Sequence, residues 1–425
     1  MTTTPTTSRE ALSRRRLLGT ALTVGAAGAV GAALPLATTT PARAATAPAA
    51  TAPARAATTP ARSAAATATG SPFALPEPTG PHPVGTVELE LVDGSRPDPD
   101  NPGRFRRLMA SVWYPARGDV DRYPLAPWMH PDLLRVFLAD GGYPADLVGP
   151  LTSGHLGAPV HRTGRGLPVV LFSHGAHDHR ADHTVIVQEL ASHGFAVVTV
   201  DHTWDAYSRL PDGRLLTPVF DRQHMMGPKE FAADLHFLVD CVEQLAAGQN
   251  PDAERRPLPA GLTEALDASR IGAFGWSKGG TATAYAMLGD QRIKAGLSLD
   301  APMQPLITAD LDRPFLMMTA SFPRAQDPAA EQFWGHLKGW RLNVQAEGAV
   351  HSSYGDTEVF VAQAATLLGI SPDQVPELIG TIDPARAVRI QQAYPLAFFG
   401  RHLCGHRSRL LDGPSRDFPE VTYLP

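Results

Sequence analysis

Cysteine is scarce in this chain of 425 residues, which contains only Cys241 and Cys404. A disulfide framework in so long a chain would need more cysteines, and a hydrophobic core of this size does not depend on one. The two residues could form a single disulfide or remain buried free thiols, and the sequence leaves both states open. The small disulfide-stabilised domains are excluded.

A long, strongly apolar run is also missing. The stretch TALTVGAAGAVGAALPLA, which follows the basic segment SRRRLLG, is rich in Gly and Ala, whereas a membrane-spanning helix needs about 20 strongly apolar residues. A basic segment, a short apolar segment and an A-x-A site are typical of a cleaved export signal, and the paired arginines resemble a twin-arginine signal. We predict a signal peptide over residues 1–44, secretion and no stable membrane anchor, with PARAAT at 53–58 as a second candidate cleavage position.

Basic side chains are too few for a nucleic-acid-binding protein. The first 72 residues hold seven Arg, no Lys and one Glu, which leaves 30 basic and 41 acidic side chains, a net charge of −11, for the remainder. Such an acidic surface argues against nucleic acid as a partner. Residues 45–72 consist almost wholly of Ala, Thr and Pro and predict a disordered linker, which leaves 73–425 as one large catalytic domain.

Strand and helix patterns alternate through that domain. GTVELELVDGSR (85–96) and RLMASVWYPA (107–116) predict an antiparallel hairpin. The buried strand patterns LPVVLFSHG, FAVVTVDH, RIGAFGWS, IKAGLSLDA, RPFLMMTAS and LNVQAEGAVH follow, with helix patterns between several of them. The sequence therefore predicts an α/β fold with a mostly parallel, doubly wound sheet and antiparallel N-terminal strands.

A serine stands among glycines where one of these strands ends, in FGWSKGG (274–280). The spacing Gly275-x-Ser277-x-Gly279, between a buried strand and a helix, is that of a sharp turn that exposes a nucleophilic hydroxyl. A serine hydroxyl needs a base to remove its proton and an acid to orient that base. Asp300 follows the next strand directly, and His351 follows a later one, so we predict the triad Ser277, Asp300 and His351. Asp327 is a second candidate for the acid.

The stabilisation of an oxyanion requires two donors near the serine. We predict the backbone amides of Lys278 and of Ala176, which lies in the loop HGAHDH after the first parallel strand. Four further residues near the same sheet edge are candidates for lining the substrate pocket: Trp276, His177, Trp204 and Met303.

The segments FSHGAHDHRADHTVIVQELASHGFAVVTVDH, GWSKGGTATAYAMLGDQRIKAGLSLDAPM, AVHSSYGD and AYPLAFFGRHLCGH resemble the platelet-activating factor acetylhydrolase family of the plasma, or isoform II, type, and the chain looks like a secreted bacterial member. The resemblance implies an α/β-hydrolase fold, a Ser-Asp-His triad that needs no metal or other cofactor, and a small-molecule or lipid ester as substrate. Its acid follows the strand after the nucleophile helix, which favours Asp300. Trp276, Lys278 and the polar loop AHDHRADH depart from the family pattern and leave the acyl preference open.

Other functions remain as alternatives to a secreted esterase or lipase. A polyester hydrolase, an amidase or an acyltransferase would use the same triad, and a binding protein could retain the fold without catalysis.

The histidines and acids of HGAHDHRADH (174–183) have spacings compatible with a metal site, but without a second cluster we predict none. Residues 121–160 are a candidate lid over the site or ordinary packing helices.

Overall fold

The computed structural model describes residues 70–99, 101–162, 164–220 and 226–425. The predicted signal peptide and all but the last three residues of the predicted linker lie outside these ranges, so both assignments stay predictions. Across the described ranges, none of the helices combines the length and the apolar character that crossing a membrane would require.

A single large sheet of 11 strands forms the centre of the described chain. Its order is β13-β12-β11-β10-β9-β5-β6-β2-β1-β4-β3, and the strands from β6 to β12 along that order are parallel. The strands are β1 (Val84–Pro97), β2 (Phe105–Pro115), β3 (Leu125–Pro127), β4 (Leu151–Leu156), β5 (Leu167–Ser173), β6 (Ala196–Asp201), β9 (Leu266–Trp276), β10 (Ile293–Leu299), β11 (Phe315–Thr319), β12 (Arg341–Ala346) and β13 (Val421–Leu424). A separate small ribbon pairs β7 (Ser208–Arg209) with β8 (Leu215–Leu216).

The predicted antiparallel hairpin is present as β1 and β2, which pair from Val84↔Pro115 onward. Strands β5, β6 and β10 are apolar along almost their whole length because both of their faces are covered. The sequence patterns missed β3, β4 and β13. These strands are short, lie at the two edges of the sheet and carry no strong alternation of apolar and polar residues.

Helices cover the two faces of the sheet. They are α1 (Pro131–Gly141), α2 (Thr184–Ser192), α3 (Pro228–Ala246), α4 (Lys278–Gly289), α5 (Pro328–His336), α6 (Asp356–Ala364), α7 (Val375–Ile379) and α8 (Pro384–Cys404). One hydrophobic core contains residues of α3, α4 and α5, and the other contains residues of α2 and α8. The sheet separates these two cores, as expected for a doubly wound arrangement.

The candidate lid, residues 121–160, has two roles in the structure. Its strands β3 and β4 extend the sheet beyond β1, with β4 parallel to β1. Its helix α1 packs with Trp128 and Tyr207 in a separate hydrophobic cluster, and Trp128 and Leu133 help to line a cavity of about 170 Å³. The segment is thus fixed to the sheet near both of its ends, and its role as a lid stays a prediction.

Both cysteines are free thiols. Cys241 lies on α3 in the core, and burial raises the pKa of its thiol to about 12. Cys404 ends α8 and is half-buried. Of the two states that the sequence left open, the structure shows the unpaired one.

Candidate active site

Ser277 occupies a sharp turn between β9 and α4. Its backbone has φ 53° and ψ −121°, a combination that a residue with a side chain adopts only when its surroundings enforce it. The amide of Ser277 donates to the carbonyl of Leu299 at the end of β10, 2.9 Å away. The turn is therefore fixed to the neighbouring strand, and the serine stands at the carboxyl edge of the sheet.

The glycines on either side of Ser277 are required by close packing. A Cβ on Gly275 would lie 2.2 Å from the backbone of Gly279, and a Cβ on Gly279 would lie 2.0 Å from the carbonyl oxygen of Ser173. Backbone atoms cannot move aside as flexible side chains do. The G-x-S-x-G spacing thus follows from the approach of β9, α4 and the end of β5 to one another.

Asp300 directly follows β10 and is completely buried. Its Oδ1 accepts hydrogen bonds from the amides of Ala320 (2.7 Å) and Phe322 (2.9 Å), and its Oδ2 accepts one from the amide of Ser321 (3.1 Å). Three backbone donors of the loop after β11 thus hold one carboxylate in place. The remaining partner of Oδ2 is Nδ1 of His351, at 2.7 Å.

Asp327, the second candidate for the acid, has a different role. It caps the N terminus of α5, where its Oδ1 accepts from the amides of Ala329 and Ala330 at 2.8 and 3.2 Å. A capped helix start is a common position for aspartate. Of the two candidate acids, the structure brings Asp300 and not Asp327 to His351.

His351 begins a 3-10 turn, His351–Tyr354, after β12 and is 6% exposed. Because Oδ2 of Asp300 acts as the acceptor in its hydrogen bond with His351, Nδ1 of His351 carries the shared proton, and Nε2 is left as the acceptor. Trp276, the residue before the serine, contacts this histidine in two ways. Its indole Nε1 donates to the carbonyl of His351 at 2.9 Å, and the two rings lie 4.6 Å apart.

The predicted oxyanion donors belong to two segments that meet at the serine. Lys278 is the first residue of α4, and Ala176 lies in the loop after β5. A Cβ on Gly175, next to Ala176, would be 3.4 Å from Cβ of Ser277 and 2.4 Å from the ring of Trp276. Among the described residues, neither the Ala176 nor the Lys278 amide donates to a protein acceptor, and their role as oxyanion donors stays a prediction.

The four candidate pocket residues occupy different surroundings. Trp276 packs on His351, and His177 is partly buried with a ring 4.6 Å from that of Phe220. Burial lowers the pKa of His177, although Asp205 opposes that shift. These two side chains lie beside the serine and the oxyanion loop and fit the assignment, which stays a prediction.

Trp204 and Met303 pack in two different hydrophobic clusters, and the assignment of Trp204 to the pocket stays a prediction. The indole Nε1 of Trp204 donates to Asp98 at 2.8 Å, and its ring packs with Met226 and Phe231. Met303 is fully buried in the core between the sheet and its helices. As it lies, Met303 has no surface that a substrate could contact, so the structure does not support its predicted place in the pocket.

A second Ser-His-Asp arrangement lies beneath the oxyanion loop, and the sequence did not reveal it. Ser173 Oγ is 2.9 Å from Nε2 of His202, whose Nδ1 is 2.9 Å from Oδ2 of Asp234. Burial opposes ionisation of Asp234, but Arg106 and His202 outweigh it and keep the pKa of this carboxyl below its ordinary value. All three side chains of this set are completely buried, so its serine cannot meet a substrate.

This buried set supports the loop that carries Ala176. The amide of His202 donates to Nε2 of His174 at 3.0 Å, and Nδ1 of His174 donates to the carbonyl of Gly175 at 2.6 Å. The hydrogen bonds fix the tautomer of His174, and burial lowers its pKa. The only sequence signal for this set was the position of His202 just after a buried strand, which also suits a pocket residue.

The polar loop contains one group with metal-ligand character, in which Asp178, His179 and Asp182 place ligand atoms within 4.8 Å of one another. Nδ1 of His179 accepts the amide of Ala181 at 3.2 Å, so in the neutral ring Nε2 carries the proton and points to Asp178, 3.4 Å away. A protonated nitrogen has no lone pair for a metal. Because Nε2 of His179 is protonated in the neutral ring and forms no hydrogen bond with a described residue, the group as it lies offers a metal only its two carboxylates, and the absence of a metal requirement stays a prediction.

Comparison with known proteins gives a consistent result. A family model described as "Platelet-activating factor acetylhydrolase, isoform II" matches residues 69–208 and 258–409. The chain is 28% identical over 387 residues to a "Probable 1-alkyl-2-acetylglycerophosphocholine esterase" of Arthroderma benhamiae, covering 83% of this chain and 94% of that protein. It is 26% identical over 373 residues to a "Platelet-activating factor acetylhydrolase" of Canis lupus familiaris, with 77% of each chain covered.

A solved structure is similar over most of its length. This structure is a ferulic acid esterase from Streptomyces cinnamoneus, with a TM-score of 0.69, 32% sequence identity, and coverage of 82% of this chain and 98% of that chain. The likeness confirms the predicted α/β-hydrolase fold, and the esterases among the similar proteins confirm the predicted class of enzyme.

Proposed function

The chain belongs to the platelet-activating factor acetylhydrolase isoform II family and is an ester hydrolase, and we propose that it acts through Ser277, His351 and Asp300. The observation that carries this proposal is the 2.7 Å contact between His351 and the buried Asp300, with the same histidine packed on the residue before a strained serine. Each of the three residues follows a different parallel strand. Their convergence at one sheet edge supports a triad.

In the proposed reaction, Nε2 of His351 removes the proton of Ser277 as Oγ forms a bond to the ester carbonyl carbon. The amides of Ala176 and Lys278 stabilise the negative oxygen of the tetrahedral intermediate. That intermediate then collapses: the bond to the leaving oxygen breaks, and His351 returns the proton to the departing alcohol. The product of this half-reaction is an acyl-enzyme on Ser277.

Water completes the cycle. His351 takes a proton from water, whose oxygen attacks the acyl carbon, and the collapse of the second tetrahedral intermediate releases the acid and restores Ser277. Asp300 keeps the imidazole in the required tautomer and stabilises its protonated form. No step calls for a metal or a cofactor.

For the substrate, we propose small-molecule or lipid carboxylic esters. Two of the similar proteins are named as esterases of 1-alkyl-2-acetylglycerophosphocholine and of ferulic acid, and this chain's own departures at Trp276 and Lys278 leave the acyl group open. A panel with an acetyl phospholipid, methyl ferulate, p-nitrophenyl esters of graded length and a polyester film would identify the preferred class. Amide substrates and alcohol acceptors in the same panel test amidase and acyltransferase activity.

Ser277→Ala tests the proposal directly. We expect it to abolish measurable hydrolysis of p-nitrophenyl acetate while the thermal unfolding curve stays close to that of the wild type. The matched control is Ser352→Ala. Ser352 directly follows the proposed base, but the proposed triad does not use its side chain, so this variant should retain turnover. Wild-type turnover in Ser277→Ala would overturn the triad, and an unreactive wild-type protein would favour the binding-protein alternative.

We also propose that the protein is exported through a twin-arginine signal, supported by SRRRLLG and the Gly/Ala-rich stretch after it. Arg15→Lys with Arg16→Lys should block appearance of the enzyme in the medium of an expressing bacterium. Unchanged export of this double variant would reject a twin-arginine route.

A further inference from the structure

Asp205 joins two segments of the candidate site through its two carboxylate oxygens. Oδ1 accepts a hydrogen bond from the amide of His177 at 2.8 Å. Oδ2 receives one from the ammonium of Lys278 at 2.6 Å, and the same ammonium also donates to the carbonyl of Met226 at 2.8 Å. Asp205 is 1% exposed, so this ion pair is shielded from water.

The two segments are those that carry the proposed oxyanion donors. His177 directly follows Ala176, and Lys278 contributes its own amide to the same site. The carboxylate thus holds the loop after β5 through one oxygen and the first residue of α4 through the other. Covalent structure does not link these segments near the site, since more than one hundred positions separate them along the chain.

Asp205 is itself fixed to the sheet. Its amide donates to the carbonyl of His202, just beyond β6, at 2.8 Å. Ala206 forms an isolated parallel bridge with Asp178, and the amide of Tyr207 donates to the carbonyl of Asp178 at 3.0 Å. The loop that bears Asp205 therefore runs alongside the oxyanion loop, and the carboxylate has little freedom to follow either of its partners.

We propose that Asp205 is a positioning residue that sets the spacing of the two oxyanion amides. Donors of this kind act because they are already aimed at the oxygen where charge develops, and a displacement of about 1 Å can cost on the order of 100-fold in rate. This inference rests on the proposed function. It assigns to a residue outside the triad a defined effect on the transition state.

The competing role is purely structural, since the ammonium of a partly buried lysine is stabilised by a neutralising partner. Asp205→Ala removes both contacts. In Asp205→Asn the side-chain oxygen can still accept from the His177 amide, whereas its NH2 group faces the ammonium of Lys278. Asp212→Ala is the matched control, because this exposed acid of the same region pairs with Arg214, two residues away, and contacts neither oxyanion segment among the described residues.

The experiment uses the full-length enzyme and normalises each rate to the active sites titrated with a fluorophosphonate. We expect kcat for a p-nitrophenyl ester to fall about 10- to 100-fold in Asp205→Ala and less in Asp205→Asn, with a much smaller change in KM. The Ki of a trifluoromethyl ketone, which forms an oxyanion on the serine, should rise by the same factor as kcat/KM falls. Asp212→Ala should match the wild type.

A structural role gives a different result. It would lower the titrated fraction and the unfolding temperature but leave kcat per titrated site unchanged in Asp205→Asn, and that outcome overturns the inference even if Asp205→Ala fails to fold. A change confined to KM overturns it as well. Failure of the proposed function is seen separately, as wild-type turnover in Ser277→Ala.

Discussion

The substitution Asp300→Asn tests how the acid of the proposed triad acts. In the folded protein, Oδ1 of Asp300 accepts two backbone amides and Oδ2 accepts the amide of Ser321 and Nδ1–H of His351. The oxygen of the new amide would keep the position that receives two donors, so its NH2 group would face Ser321 and His351. The NH2 group, itself a donor, would then face two other donors, the Nδ1 proton of His351 and the amide of Ser321.

The imidazole can relieve that conflict by moving its proton to Nε2, where it can no longer accept a proton from Ser277. A wrong tautomer of this kind lowers kcat by about 10⁴ in a well-studied serine protease, which corresponds to about 5.4 kcal/mol of transition-state stabilisation. The amide of Ser321 would lose its acceptor, which should also reduce the free energy of unfolding by about 1–3 kcal/mol. Initial rates of ester hydrolysis measure the loss of kcat, and urea unfolding measures the loss of stability.

Asp327→Asn is the control for this prediction. Asn and Asp are nearly equal as helix N-caps, so both kcat and stability should remain at their wild-type values. If Asp300→Asn keeps kcat within about tenfold of the wild type while Asp327→Asn loses activity, the assignment of the acid is wrong.

Three further outcomes follow from the packing of the site. Gly279→Ala should destabilise the fold by about 3 kcal/mol or more, since its Cβ would meet the carbonyl oxygen of Ser173 at 2.0 Å. The control is Gly335→Ala, whose Cβ meets nothing within 4 Å. It should stabilise α5 by about 0.5–1 kcal/mol in thermal unfolding. Ser173→Ala leaves Nε2 of His202 without its donor and should cost about 1–3 kcal/mol in urea unfolding, but the folded fraction should react with a fluorophosphonate as the wild type does. Burial raises the pKa of Glu358 from 4.5 to about 8. Between these two pH values the folded state holds a proton on Glu358 that the unfolded state has lost. The free energy of unfolding should therefore fall as the pH rises from 4.5 to about 8, by up to about 1.4 kcal/mol per pH unit. Glu358→Gln should remove this slope and exceed the wild type in stability at pH 8, and an equal slope in both proteins would contradict the assignment.

Much of the fold could be predicted because it depends on local patterns. Buried parallel strands such as β5 and β6 are continuous apolar runs, and the alternation in β1 and β2 marks a hairpin. Strands β3, β4 and β13 were missed because an edge strand is held by pairing with its neighbour and not by its own pattern. Two of them lie within the segment that the sequence assigned to a lid or to packing helices.

The candidate triad could be named because chain order and strand ends constrain it. The sequence could not show that Met303 is fully buried or that Trp204 is bonded to Asp98, since those facts depend on contacts between distant segments. For the same reason, Asp205 received no role from the sequence although it contacts both oxyanion segments. The buried set of Ser173, His202 and Asp234 shows that residue types alone do not identify a catalytic triad.

The most direct measurement of the central claim is the site of covalent labelling. The wild-type enzyme is treated with a fluorophosphonate, digested and analysed by mass spectrometry. A catalytic serine at the strained turn predicts one adduct per chain, on the peptide that contains Ser277. An adduct on any other serine, or an enzyme that hydrolyses esters while Ser277 stays unmodified, would contradict the account.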